Sequence, residues 1–348
     1  MSSREKLSNV ILSRRSFAAV GGAGIASILL AACGSETPST SSESSSTGAT
    51  TSTDLAPASL PDGMGTPAKD GEFPRTVKHF RGETTLETKP SKIVVLSTGQ
   101  LDDILALGIV PAASATANDA DLVPTYLAEK YNDQKSALDS MATVGTRKAP
   151  DIEAIANLKP DLILINNTNK DDSLYESLKA ISPTVVTEGT GVNWKQDFLL
   201  IAAGLGTTDK ANSLLSDYNT KVSELAEKAS DSDTFSFLYA QSDRNRVFAA
   251  SSFVGSIAAD AKLARPESQQ VEKTSVDISA EQLDQADASW IFYGVQGEDD
   301  AALKSEALWE TLSAVQNDHA VKVDSDMFFL NAGITAALGV IEDIQSAL

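Results

Sequence analysis

The longest uninterrupted pattern in the chain is helical. Between residues 208 and 230, Leu214, Leu215, Tyr218, Val222, Leu225 and Ala226 recur at helical spacing, with Ser, Asp, Asn, Lys and Glu between them. Thr207 and Thr208 offer capping hydroxyls, Asp209 places negative charge in the first turn, and Lys228 sits near the end. No proline or glycine interrupts the run. At about 1.5 Å per residue the helix is roughly 33 Å long, enough to cross a small domain. The pattern predicts a strut with a folded lobe on either side.

Both flanks alternate short apolar strands with helices. Before the strut, Lys92–Leu96, Asp161–Ile165 and Thr184–Val186 read as buried strands, and residues 101–108, 151–158 and 173–181 read as helices. After it, Phe235–Tyr239, Trp290–Tyr293 and Ala320–Val323 read as strands, and residues 256–264, 280–285 and 332–348 as helices. This alternation predicts an α/β class with parallel sheets. The two flanks also match each other. Glu153-Ala154-Ile155 before Leu162-Ile163-Leu164 is echoed, 281 − 153 = 128 residues later, by Glu281-Gln282-Leu283 before Trp290-Ile291-Phe292.

The first 32 residues carry an address instead of a fold. Arg4, Lys6, Arg14 and Arg15 precede an apolar, small-residue run from Phe17 to Ala32 that is short for a membrane span. The run ends Leu30-Ala31-Ala32-Cys33-Gly34, which resembles a bacterial lipobox and predicts lipidation of Cys33. The alternative for this lone cysteine is a buried or stray thiol. Ser13-Arg14-Arg15-Ser16-Phe17 also resembles a twin-arginine export signal, although paired arginines occur in ordinary signals. From Gly34 the composition collapses to Ser, Thr, Gly, Pro and Ala, a solvated linker spanning on the order of 35 Å. The expected division is 1–32 signal peptide, 33–75 linker, 76–207 N-terminal lobe, 208–230 connecting helix and 231–348 C-terminal lobe.

Charge narrows the partners. Removing residues 1–32 takes away four basic and one acidic side chain, so the net charge moves from −20 to −20 − 3 = −23. Such a chain does not bind nucleic acid or an anionic membrane through its own field, which leaves membrane attachment to the lipid on Cys33.

Little in the composition serves catalysis or a resident metal. His79 and His319 are the only histidines and read as solvated or satisfied. Nucleophile-elbow, phosphate-loop and zinc-protease motifs are missing, so no enzyme, metal site or cofactor is expected. Arginine is sparse, and its placement predicts oxygen recognition by planar donors. Arg147 lies in a loop feeding the first acidic helix, and Arg244 and Arg246 in a turn after Phe235–Tyr239. The alternative for each is a solvated loop charge. Tyr239, Trp290, Tyr293, Phe328 and Phe329 are candidates for an aromatic cleft wall, and Trp194 floors the cleft or packs under the strut.

The segments 92–112, 150–165, 252–266, 279–293 and 308–324, in that order, resemble the substrate-binding lipoproteins of ABC importers for iron–siderophore complexes, in the ferric-hydroxamate-type branch found in actinobacteria. The resemblance implies two Rossmann-like lobes joined by a single long α-helix, the class III periplasmic-binding-protein-like architecture. It implies a monomer on the outer face of the cell membrane of a Gram-positive envelope, with a ferric siderophore in an interlobe cleft and ABC permease subunits as partners. It further implies that Arg147 bonds the chelate's oxygens and that Glu153 and Glu281 dock on permease arginines. From the residues alone, both glutamates equally complement their helix dipoles. The chain departs from the family at Tyr239, where an arginine is common, at Phe328-Phe329, where Trp-Tyr is common, and at Thr168, near a position that can be tyrosine. The rival readings are a haem or corrinoid receptor using Tyr239 or Tyr293 as axial ligand, and an envelope scaffold or enzyme.

Overall fold

Three apolar residues, Ile93-Val94-Val95, sit at the middle of the first lobe because all three are completely buried. Strands buried on both faces belong inside parallel sheets. The computed structural model describes residues 57–117, 120–168, 170, 172–189, 191–297 and 299–348, so the leader, Cys33 and most of the predicted linker lie outside the described residues.

The N-terminal lobe opens with an antiparallel hairpin, β1 (Arg75–His79) and β2 (Gly82–Leu86). Six strands follow: β3 (Ile93–Val95), β4 (Ala113–Thr116), β5 (Ala142–Thr146), β6 (Ala149–Pro150), β7 (Leu162–Asn166) and β8 (Thr184–Thr187). They form one sheet ordered β6-β5-β4-β3-β7-β8, parallel except for β6. The C-terminal lobe carries β9 (Phe235–Ala240), β10 (Asn245–Phe248), β11 (Ser275–Ile278), β12 (Trp290–Val295) and β13 (Ala320–Lys322), ordered β11-β10-β9-β12-β13. Here β9, β12 and β13 are parallel, while β10 and β11 add an antiparallel edge.

The period of two sorts each strand's side chains between cores. Ile93, Val95, Leu162 and Leu164 enter one large core, and Val94, Ile163 and Ile165 a second behind the sheet. Phe235, Phe237, Tyr239 and Phe292 join the same large core, while Leu238, Ile291, Tyr293 and Val295 form a third. The internal repeat is real in space. Leu162 pairs with Ile93 and Trp290 with Phe235, so each strand of the repeated motif lies parallel to its lobe's first strand.

The connecting helix runs Thr208–Lys228, with Ala211, Leu215, Tyr218, Val222 and Leu225 buried at alternating spacings of four and three. Each buried aliphatic contributes roughly 1.5–3 kcal/mol. That outweighs an N-cap, which is typically worth about 1 kcal/mol. The predicted threonine caps are corrected: Thr207 Oγ1 is buried without a hydrogen bond. Asp70 does the capping instead, accepting from Thr208 Oγ1 at 2.7 Å and Asp209 N at 2.8 Å. Burial opposes it, but these bonds from Asp209 and Thr208 hold the Asp70 carboxyl below its ordinary value.

The boundary placed at residue 75 is therefore also corrected. Arg75 is 2% exposed, donating to the carbonyls of Ala203 (2.6 Å), Glu72 (3.0 Å) and Lys69 (2.5 Å) and lying 4.7 Å over the Phe73 ring. It closes the end of the helix Trp194–Leu205, where Gly206 takes φ 67° and a Cβ would stand 2.8 Å from the guanidinium. A segment poor in large apolar residues is tied down here by hydrogen bonds instead of burial.

Two polar joints lock the lobes around the strut. In the first, Asp102 on the helix Gln100–Ala106 accepts from Thr335 N (2.7 Å), Ala336 N (2.9 Å) and Tyr126 Oη (2.9 Å), and Asp103 accepts from Ile334 N (3.3 Å). These carboxylates satisfy the orphan donors of the closing helix Ile334–Ala347. The backbones meet so closely that a Cβ on Gly99 would lie 2.5 Å from the Ala332 carbonyl oxygen. In the second, Lys195 pairs with Asp260 at 2.6 Å, and Tyr218 of the strut donates to the same carboxylate at 2.5 Å.

Candidate functional site

Parallel strands bring their carboxyl ends to one rim, and loops leaving that rim build sites. In the N-terminal lobe a cavity of about 460 Å³ opens there, walled by Ser97, Thr98, Arg147, Asn166 and Thr168 among others. Its floor is fixed by short bonds. Gln100 Oε1 accepts from Ser97 N (3.0 Å), and Ser97 Oγ accepts from Asn166 N (2.9 Å).

Arg147 follows β5 directly, its backbone N bonded to the Thr116 carbonyl at 2.8 Å. The guanidinium donates from Nη1 to Thr98 Oγ1 at 3.1 Å and from Nη2 to Asn331 Oδ1 at 3.2 Å. One planar cation thus touches both lobes. Its Nε is buried with no hydrogen-bond partner. Burial pulls the Arg147 pKa below its ordinary value while Tyr126 and Asp326 push it back, and a guanidinium this basic stays charged.

In the C-terminal lobe the candidate aromatics pack on one another within the large core. Tyr239, near the carboxyl end of β9, stacks on Phe329 with ring centres 5.5 Å apart at 24°, and Phe248 lies 4.9 Å from the same ring. Phe329 belongs to a π-helical turn, Asp326–Leu330, which starts where Asp324 accepts from Met327 N at 2.9 Å. Burial and the nearby Asp326 raise the Tyr239 pKa, against a lowering by Arg246.

Residues 93–327 match the model of the periplasmic binding protein family. The chain belongs to that family. It is 32% identical over 290 residues to a probable siderophore-binding lipoprotein of Bacillus subtilis (strain 168), YfiY, covering 78% of this chain and 87% of the relative. It is 27% identical over 279 residues to the Fe(3+)-citrate-binding protein YfmC of the same organism, covering 78% and 84%. Among solved structures, SirA of Staphylococcus aureus complexed with staphyloferrin B superposes with a TM-score of 0.68 at 25% identity, covering 78% of this chain and 97% of that one. The two-lobe α/β architecture and the family read from the sequence both hold. These relatives single out neither the hydroxamate branch nor an actinobacterial one. The family is one of substrate-binding transport proteins, not of enzymes.

In this periplasmic binding protein the predicted cleft residues part company. Arg147 lines the strand-end cavity, whereas Tyr239 is 5% exposed and packs in the large core. Arg246 is not in a turn but on β10, directly opposite Tyr239 in register, and Arg244 precedes that strand. Both arginines are engaged by Asp277, at 2.9 Å and 3.1 Å. Phe328 is wholly buried against Phe292, and Phe329 is buried beside it against Tyr239, so neither lines the strand-end cavity. Tyr293 points to the opposite side of its sheet from Tyr239, donates to Asp300 at 2.9 Å and packs edge-on to Trp309. That placement removes it as an axial haem ligand beside Tyr239. Trp290 is corrected most sharply. It starts β12, at the end of the sheet opposite the rim, where it stacks 3.9 Å from His319 and donates to Asp233. Trp194 packs under the strut, 1% exposed, its Nε1 bonded to Ser256 Oγ and its ring edge-on to Tyr218 and Phe253.

The two repeat-related acids behave alike. Glu153 and Glu281 are exposed, and neither makes a hydrogen bond or ion pair among the described residues. Their helices are capped by neighbours: Asp151 accepts from Ala154 N at 2.9 Å, and Ser279 forms a capping box with Gln282. Sequence reasoning missed Thr98 and Asn331, because each is a polar residue outside the regular elements with no motif around it. Among the described residues no group of three or more metal-ligating side chains occurs, and no helix is long and apolar enough to cross a membrane.

Proposed function

We propose that this protein is an exported, lipid-anchored receptor that takes a ferric siderophore into the groove between its lobes and presents it to the permease of an ABC importer. The observation that carries the reading is the Arg147 guanidinium, which bridges Thr98 and Asn331 at the rim of the strand-end cavity. The relatives' names, a siderophore-binding lipoprotein and a protein complexed with staphyloferrin B, support the same ligand class. Lipid attachment at Cys33 rests on the lipobox and on relatives named as lipoproteins.

The ferric ion arrives already wrapped in the chelator's oxygens, so the protein supplies contacts to the complex instead of coordination to iron. Arg147 exchanges its neutral partners for the negatively charged chelating oxygens, an exchange that makes its hydrogen bonds charge-assisted at both ends. Ile165 and Leu174 of the cavity wall cover part of the organic shell. Nothing in this cycle is chemically transformed, and no resident cofactor takes part. Glu153 and Glu281, one per lobe and without partners among the described residues, suit arginines on a two-fold permease.

Isothermal titration with ferric hydroxamate, catecholate, citrate-type and mixed chelates, with haem as control, tests the reading. At least one ferric chelate binds at micromolar concentration or better, and Arg147→Ala weakens it roughly 10- to 100-fold. Binding of haem alone, or unchanged affinity in Arg147→Ala, overturns it.

A further inference from the structure

The strand-end cavity is basic in a chain that is acidic. Among the described residues two cations and no acid line it, although the whole chain carries a net charge of −20. The two cations are consecutive. β5 ends at Thr146 and β6 begins at Ala149, and these two residues pair in antiparallel register, so Arg147 and Lys148 form the tip of a tight hairpin. The tip is fixed on both sides. Thr146 Oγ1 accepts from Ala149 N at 3.2 Å, and Arg147 N donates to the Thr116 carbonyl at the end of β4 at 2.8 Å. The two cations differ in freedom. Arg147 is held by Thr98 and Asn331, whereas Lys148 is exposed and makes no hydrogen bond or ion pair among the described residues. An ammonium on a flexible stem has no planar fork to match, so it acts as a point charge. Charges beyond about 8 Å are largely screened at physiological ionic strength, so a ligand in the cavity feels this pair more than the remote acids of the chain.

We propose that Lys148 is a specificity-determining residue that selects for net negative charge, so that the cavity takes anionic ferric chelates, tricatecholates and hydroxycarboxylates, in preference to electroneutral trihydroxamates. This rests on the ferric-siderophore reading above. Three hydroxamates cancel the charge of a ferric ion, whereas three catecholates or a set of hydroxycarboxylates leave a surplus of negative charge on the complex. Arg147 bonds chelating oxygens, which every class of chelate presents. Lys148 responds to the surplus that only some classes carry. The neighbouring cations thus divide the work: the anchored guanidinium orients the complex, and the free ammonium sorts it by charge.

Two ferric complexes on one tripodal scaffold, one bearing three catechols and the other three hydroxamates, isolate the effect, with a ferric citrate complex as a second anion. Calorimetry on the wild-type protein gives tighter binding of an anionic complex than of the neutral one, and added salt weakens only the anionic complex. Lys148→Gln lowers affinity for the anionic complex roughly fivefold, the size of a partly exposed ion pair, holds the neutral one within about twofold, and flattens the salt dependence. Lys148 is exposed at a hairpin tip, so the variant keeps the fold, and the wild-type preference and its salt dependence test the proposal without it. Failure of both anionic complexes to bind, equal or tighter binding of the neutral one, or an equal loss for both charge classes in Lys148→Gln overturns the proposal and leaves the receptor reading intact. Failure of every ferric chelate to bind the wild type overturns both.

Discussion

At the scale of single residues, environment decides what a side chain does. His79 is 4% exposed on β1, its Nε2 bonded to Thr84 Oγ1 at 3.0 Å and its Nδ1 accepting from Arg81 N at 3.2 Å. Thr84 gives its own proton to the Thr184 carbonyl, so it accepts from His79, and the ring is neutral with the proton on Nε2. Burial, helped by Lys179, lowers the His79 pKa to about 4 from its ordinary value. The unfolded chain binds the proton more readily, so stability from neutral His79 is complete above the ordinary histidine range and is lost as pH falls through about 4. His79→Gln, which keeps an N–H for Thr84, removes that component. Urea midpoints measured between these limits fall more steeply for the wild type than for the variant. Strand parity likewise separates Tyr239 from Tyr293. Sequence shows that parity but not which face meets the groove, because the face depends on register with strands far away.

At the scale of elements, long apolar patterns were readable and short polar ones were not. The strut, β3, β7, β9, β12 and the 128-residue repeat follow from burial at fixed spacing. By contrast β10 and the edge strand β11 have four residues each and carry Arg246 and Asp277, so charge masks their alternation. The helix Trp194–Leu205 is buried nearly all round and shows no amphipathic stripe. The caps were illegible for another reason: Asp70 and Asp102 reach helices 138 and 233 residues away. Asp102 shows what such a contact is worth. Asp102→Ala leaves Thr335 N and Ala336 N buried without partners, at about 1–3 kcal/mol each. Chemical denaturation therefore gives a clearly lower unfolding free energy for the variant. Hydrogen exchange quickens first at the start of the closing helix.

At the scale of the whole molecule, two lobes share one core. Residues from both sheets, the strut and the closing helix enter it together, and the joints at Asp102 and Asp260 flank the strut. An unbroken helix and a common core resist hinge bending. Small-angle scattering before and after addition of a bound ferric chelate gives radii of gyration within about 1 Å of each other. The proposed docking through Glu153 and Glu281 makes delivery depend on surface charge more than on gross shape. Glu153→Arg with Glu281→Arg leaves chelate affinity unchanged by calorimetry and abolishes iron uptake in cells. If uptake persists, these acids serve only their helices.

The three tryptophans are all remote from the groove: Trp194 lies under the strut, Trp290 at the far end of its sheet, and Trp309 against Tyr293 in the outer core. Their emission therefore senses cargo only by energy transfer into the colour of an iron complex, not by touch. A metal-free hydroxamate chelator in the groove is optically silent, and its gallium complex, which lacks the iron complex's charge-transfer band, fills the groove without dimming the protein.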